Sequence, residues 1–277
     1  MKNNITMRCL KILLLLLMLP LSHAHSQFAT ENKAFKAGEE LVYDLYFHWK
    51  FVWVKVGAAS MKTVSARYQG RDALKSDLLF TGNDKLQAVF TMKDTLRSYI
   101  TPDLMPLYFR KGAVEGKRYT VDEVFYSYPG GRSKAELHHR NKHGEWSENT
   151  CYSDECNYDM LSILLRARSF DASNYKEGQR IHFLMATGKK VEKQTLIYKG
   201  KEKFKANDGV TYRCLVFSLL DYDEKKKEKE LLRFYVTDDT NHLPIRIDFY
   251  LKFGTAKAYF KSAKNLRNPH GAIVKKK

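Results

Sequence analysis

Three histidines in one short stretch, His138, His139 and His143, are the first residues whose types could do chemistry. Clustered imidazoles can hold zinc. On a strand, however, His138 and His139 point to opposite faces, so both reach one metal only with distortion. Their neighbours Arg140, Lys142 and Gly144 suit an exposed hairpin end, and no metal site is expected. Asp159 and Ser162 are spaced to share a helical face, where an acid could orient a nucleophile. No G-x-S-x-G elbow surrounds Ser162, and no histidine can be assigned as its base. Asp159 fits better as an acid at a helix start, where a basic side chain on the sheet could pair with it, and Ser162 as its structural companion. Glycosidase chemistry needs two carboxylates across one cleft. Asp122, Glu123, Asp221, Asp223 and Asp248 stand in no distinctive motif. No glycine-rich phosphate loop and no dinucleotide fingerprint occurs. The reading is a protein with no catalytic residue, no metal and no cofactor.

Cysteine usage points to a compartment. Cys151 and Cys156 bracket Tyr-Ser-Asp-Glu, a spacing that suits a small-loop disulfide in an oxidising environment. So short a loop rigidifies locally more than it stabilises globally. Cys214 lies in the apolar run Cys214-Leu-Val-Phe and reads as a buried thiol.

Aromatic residues carry the remaining signal. Tyr43, Tyr46, Phe47, Trp49, Phe51 and Trp53 fall within a dozen residues. On a curled sheet such residues could line an apolar trough for an acyl chain or a partner peptide, or fill the core. Tyr43, Trp49, Trp53, Tyr108 and Phe125 are the candidate ligand-binding residues.

These residues must be positioned by strands. Leu41, Tyr43, Leu45, Phe47, Trp49, Phe51 and Trp53 alternate, and beyond Trp53 the phase shifts to Val54, Val56 and Ala58. A turn or bulge near Lys50–Trp53 and a second strand from Gly57 to Val64 account for the slip. Further strands are expected at 73–80, 91–100, 107–111, 119–128, 135–139, 180–186, 190–199, 210–220, 230–237, 244–253 and 255–263. Turn chemistry separates many of them, as at Pro129-Gly130-Gly131 and Asn207-Asp208-Gly209. One segment, 158–168, lacks strand alternation and is rich in helix formers. Asn157 is its expected N-cap, and Arg166 and Arg168 suit its C-terminal end. A weaker helix is expected at 85–90. The fold class is mainly β: a curved antiparallel sheet, an open or half barrel, with one helix packed on its concave side.

The chain has 277 residues, 44% hydrophobic, enough for a sizeable core. The negative mean hydropathy, −0.49, argues against a multi-span membrane protein. Lys2, Arg8 and Lys11 precede the apolar run from Ile12 to Leu19, followed by Ser22-His-Ala24. That pattern is a secretory signal peptide cut after Ala24, or else after Ser26, leaving a single domain over residues 25–277. No cysteine lies at the cleavage region, so a lipoprotein is not expected. Loss of three cations lowers the net charge from +17 to +14. A basic exported chain is drawn to anionic lipid or acidic glycan, with peripheral membrane contact. Lys225, Lys226, Lys227 and Lys229 interleave with Glu224, Glu228 and Glu230, as on a solvated hairpin tip, so no nucleic-acid partner is expected.

Three stretches together resemble a known family. They are Gly38-Glu39-Glu40-Leu41-x-Tyr43 running to Val56-Gly57-Ala58-Ala59, then Tyr158-Asp159-Met160-Leu161-Ser162 with Arg166, then Leu243-Pro244-Ile245-Arg246-Ile247 leading to Phe253-Gly254-Thr255-Ala256-Lys257-Ala258. In this order they resemble the bacterial exported domain-of-unknown-function 3108 family. Gly57, Asp159, Ser162, Arg166, Pro244 and Gly254 are its motif residues here, with structural roles expected. The Cys151–Cys156 loop is a local addition to the pattern. The resemblance implies a half-barrel similar to the periplasmic lipoprotein carriers LolA and LolB, which hold acyl chains in a trough. It implies no reaction.

The expected function is therefore a periplasmic, non-enzymatic protein that binds a hydrophobic or amphipathic ligand, such as a lipid or a lipoprotein acyl chain. The alternatives are an interaction module of envelope assembly, using a strand edge or the basic face for a partner protein or acidic glycan, and a carbohydrate-active hydrolase.

Overall fold

The computed structural model describes residues 27–49, 51–82, 94–115, 118–207, 209–222, 228–251 and 254–275. The expected signal peptide, the weaker helix at 85–90 and most of the lysine-rich hairpin tip lie outside these residues.

The first half of the chain is a meander. Its strands are β1 (Glu40–Trp49), β2 (Val52–Tyr68), β3 (Arg71–Gly82), β4 (Thr95–Ile100), β5 (Pro106–Glu115), β6 (Arg118–Ser127), β7 (Ser133–Arg140) and β8 (Trp146–Ser153), each antiparallel to the one before. A two-residue strand β9 (Asn157–Tyr158) and helix α1 (Met160–Ala167) follow. The second half is another meander: β10 (Arg180–Ala186), β11 (Val191–Lys205), β12 (Thr211–Tyr222), β13 (Glu228–Thr237), β14 (Pro244–Leu251) and β15 (Gly254–Lys264). A short β16 (Ile273–Lys275) pairs with β12. β15 returns to pair with β1, so both halves form one sheet. β9 pairs in parallel with β10 at its far end, while Asn157 donates from both its backbone and side-chain nitrogens to Ser133 Oγ on β7, at 3.1 and 3.0 Å. The two ends of the sheet are thereby drawn together into a nearly closed barrel.

Alternation along β1 decides which side is the core. Leu41, Tyr43, Leu45 and Phe47 are buried, and their cross-strand partners Met61 and Ala59 continue that inner face. Leu96, Ile100, Phe109, Val124, Ala135 and Leu137 extend it across β4–β7. α1 lies on this side, with Leu161 and Leu165 in the same cluster. The inside of the sheet is thus filled by the chain's own side chains. Strand β12 is covered on both faces. Cys214 and Val216 join the main core, and Leu215 and Phe217 join a second cluster with Ala172 and Tyr198.

The turn expected near residue 50 is present, since β1 ends at Trp49 and β2 starts at Val52. The change of phase is completed further on. Leu45 pairs with Gly57 and Tyr46 with Lys55, leaving Val56 as a bulged extra residue. Gly57 itself faces Gly82 on β3, and a Cβ there would stand 2.2 Å from the Thr81 carbonyl oxygen. Only glycine permits that approach.

Two expectations are corrected. The helix cap is Asp159, not Asn157: its Oδ1 accepts from the backbone N–H of Leu161 (2.9 Å) and Ser162 (2.8 Å), while Ser162 Oγ accepts from Asp159 N at 3.0 Å. This reciprocal arrangement is a capping box. Asn157 is already committed to Ser133. The segment around Cys151 is a strand rather than a disulfide loop. Cys151 sits in β8 opposite Ala135, and Cys156 is buried in a different cluster with Tyr128 and Tyr158. Both are free thiols. The β7–β8 ladder sets where the Cys151 side chain points, and the turn after Ser153 carries Cys156 into its own apolar site.

Candidate functional site

The motif residues make contacts within the scaffold. Asp159 is fully buried, and burial pushes its carboxyl up to about 6 against the opposing pull of the cap hydrogen bonds. Its Oδ2 accepts from Ser98 Oγ on β4 and Tyr126 OH on β6, both at 3.4 Å, so one carboxyl ties α1 to two strands. Those two hydroxyls occupy the place expected for a basic partner. Ser162 is buried and engaged in the cap. Arg166 donates to the Phe28 carbonyl oxygen at 2.8 Å and lies 5.2 Å from the Tyr158 ring centre. Pro244 opens β14 opposite Val236, where Ile245 bulges. Gly254 opens β15, and a Cβ there would reach Phe47 Cζ at 2.8 Å.

The histidines separate as strand geometry requires. His139 faces inward and lies 2.7 Å from Asp122 Oδ1 through Nδ1. His138 faces outward, with its ring 5.1 Å from that of Phe125. Asp122 and Glu123 likewise part to opposite faces, Glu123 accepting from Tyr108 OH. Asp248 is held by two hydrogen bonds from Arg246, at 2.6 and 2.5 Å. Among the described residues no group of three metal-ligating side chains is assembled.

The five candidate ligand residues do not form one trough. Tyr43 is a core residue, 6% exposed, and burial raises its hydroxyl far above the usual range. Trp49 ends β1, with its side chain outside the described set. Trp53 is exposed beside the β1–β2 turn, with its ring 5.0 Å from that of His48 and Lys257 Nζ 4.2 Å from its centre. Burial and the nearby Arg246 lower the Lys257 ammonium. Among the described residues, depressions of about 300 and 420 Å³ open on the surface, and none of the five lines either of these.

Tyr108 and Phe125, in contrast, stand side by side on the outer face, ring centres 5.0 Å apart. The row extends further than the sequence reading placed it. Tyr108 stacks with Tyr68 of β2 at 5.7 Å and 14°, and Tyr99 of β4 lies 5.2 Å from Tyr68 and 6.2 Å from Tyr108. Four aromatic rings therefore cross the outside of β2–β6. Register explains the assembly: Tyr99 pairs with Tyr108, and Tyr108 with Phe125, so all three share one line and one face. Burial, and then Glu123, raises the Tyr108 hydroxyl well above its ordinary value, so it stays a donor. Tyr68 and Tyr99 were missed because their own segments carry few aromatics. Only the pairing between strands far apart in sequence brings them to Tyr108.

A nearly closed sheet with a helix inside it and an aromatic row outside defines a β-barrel-like fold. The chain belongs to the family described as Protein of unknown function (DUF3108), whose model matches residues 42–261. No curated protein matches the chain. Among solved structures it is similar to a β-barrel-like protein of domain of unknown function DUF1849 from Brucella abortus. That likeness has a TM-score of 0.51 at 9% identity, covering 83% of this chain and 99% of the other. An exported protein of YmcC-like fold from Bacteroides fragilis aligns over 86% of this chain and 99% of its own, at 8% identity and TM-score 0.34. The likeness to the Brucella protein concerns the fold alone. Among the described residues no helix is long and apolar enough to cross a membrane.

Proposed function

We infer that the protein is an exported, non-enzymatic binding protein of the bacterial cell envelope, and that it takes an amphipathic ligand on the outer face of β2–β6. The observation that carries this is the row of Tyr68, Tyr99, Tyr108 and Phe125. Stacked aromatic rings on an outward face are a ready contact for apolar or ring-shaped groups. The inner face, where an acyl trough was expected, is occupied by core side chains and α1. The row is bordered by Arg97 and Arg110, which suit an acidic headgroup beside the apolar contact. The signal-peptide pattern and the positive charge support a site of action among anionic envelope surfaces.

The test is flotation of the mature protein with phosphatidylglycerol vesicles. Wild type floats, and a Tyr108→Ser/Phe125→Ser variant with unchanged far-UV circular dichroism stays behind. Equal flotation of the two overturns the outer-face reading.

A further inference from the structure

The row beside the aromatic one departs from the pattern a sheet prefers. Cross-strand partners Lys62, Asp77, Arg97, Arg110, Glu123 and His138 follow one another from β2 to β7. From Lys62 to Glu123 the signs alternate except at the centre, where Arg97 and Arg110 stand directly opposite each other on β4 and β5. Like charges in that relation repel. The adjacent acids answer only one side of each guanidinium. Arg97 Nε donates to Asp77 at 2.6 Å, and Arg110 Nε lies 3.5 Å from Glu123. Asp77 is shared with Lys75 at 3.3 Å, and Glu123 also accepts from Tyr108. In the next row Gly112 carries no side chain, and the Tyr119 phenol packs on it. Gly112 follows Arg110 on the same face, and the depression of about 300 Å³ is lined by Thr95, Arg97, Arg110, Gly112 and Tyr119. The Tyr119 hydroxyl accepts from Arg110 Nη2 at 3.2 Å, which leaves its proton to donate outward. Thr95 adds a second hydroxyl.

We propose that this depression is an anion site that takes a phosphoryl group, bridged between the Arg97 and Arg110 guanidiniums beside the Tyr119 hydroxyl that packs on Gly112. A guanidinium presents parallel N–H donors that match phosphate oxygens, and an oxyanion between two of them turns the central repulsion into two charge-assisted contacts. The group comes from free phosphate or from a lipid headgroup. The headgroup source rests on the outer-face reading above, because Tyr99 and Tyr108 lie one step along the same strands and would meet the attached apolar part.

The test begins with inorganic phosphate titrated into the mature protein at constant ionic strength, followed by ³¹P line broadening. The result expected is one saturable site, weakened at least tenfold by Arg97→Gln/Arg110→Gln. Gly112→Ala keeps both charges, but its Cβ would stand 2.6 Å from the Tyr119 hydroxyl and so displaces that ring from the site. Weakening there too separates a built site from general attraction. Arg97→Lys/Arg110→Lys carries the test if the Gln pair fails to fold. Unsaturable binding, or affinity unchanged in these variants, overturns the proposal.

A second arm uses phosphatidylglycerol and phosphatidylcholine vesicles. Flotation with the first alone, competed by free phosphate and lost in the arginine variants, assigns the headgroup. Saturable phosphate binding without flotation assigns free phosphate and ends the outer-face lipid reading while the anion site stands. Flotation that needs Tyr108 and Phe125 but ignores the arginines keeps that reading and overturns the anion site.

Discussion

Glu39 and Arg168 meet in the core through two hydrogen bonds, of 2.5 and 3.0 Å, with side chains only 1% and 2% exposed. Glu39 precedes β1 and Arg168 ends α1, so the pair fixes the helix to the start of the sheet. Arg168 also donates to the Asn241 carbonyl oxygen at 3.1 Å and lies over the Phe35 ring. A buried pair is weakly stabilising as a whole, but either charge left alone is costly. Arg168→Met is expected to lose about 3–5 kcal/mol of unfolding free energy. Glu39→Leu/Arg168→Met recovers most of that loss. Urea denaturation of both variants checks this, and a double variant as unstable as the single one contradicts it.

Asp159 should give the fold a pH dependence. Folded, it holds its proton up to about pH 6; its ordinary value is 3.8. Between these limits the folded state binds more protons than the unfolded chain. This group's contribution to stability therefore falls as pH rises from about 4 to 6 and is level above. The change over that window is about 3 kcal/mol. Asp159→Asn keeps a cap acceptor and cannot ionise, so the difference between variant and wild-type stability should follow that curve. Parallel pH profiles of the two proteins would contradict the assignment.

Thiol chemistry separates the three described cysteines. Burial raises the Cys156 thiol, and it raises that of Cys214 to about 12. Cys151 is only partly buried. Alkylation of the native protein at neutral pH should therefore modify Cys151 first and leave Cys156 and Cys214 protected, because the thiolate is the reactive form. In denaturant all three should react, with or without prior reduction. Loss of two sites in the unreduced protein would show that Cys151 and Cys156 pair and that residues 154–156 rearrange to allow it.

Gly57→Ala should destabilise by about 1–3 kcal/mol, since its methyl meets backbone rather than a movable side chain. Thermal unfolding reads this directly. The control is Gly70→Ala, where nothing stands within 4 Å of the added Cβ although the backbone φ is +79°. The comparison separates a blocked approach from left-handed strain alone. A larger loss at Gly70 would refute the packing argument.

The barrel was legible wherever one face of a strand is buried, because alternation then marks it. The expected segment at 180–186 coincides with β10, and most others differ only at their ends. β8 was not legible. Trp146-Ser-Glu-Asn-Thr-Cys-Tyr-Ser carries no apolar alternation, since this terminal strand is exposed along most of its length. One break was expected near Lys50–Trp53, and the strands do turn there, but the bulge at Val56 was not legible because a turn and a bulge both invert phase. Glu39 and Arg168 each appeared in the sequence reading, one in a motif and one at a helix end. Nothing in their spacing joined residues 129 positions apart. The outer aromatic row was half visible, through Tyr108 and Phe125, and Tyr68 and Tyr99 were supplied by register.

The central claim is that a ligand lies on the outer row and not inside the sheet. Native mass spectrometry of the mature protein purified from its own cell envelope, followed by organic extraction, tests it most directly. The account predicts a stoichiometric amphipathic ligand on wild type and its loss from a folded Tyr108→Ser/Phe125→Ser variant. A ligand retained by that variant, or a clean apo mass for both proteins, would contradict it.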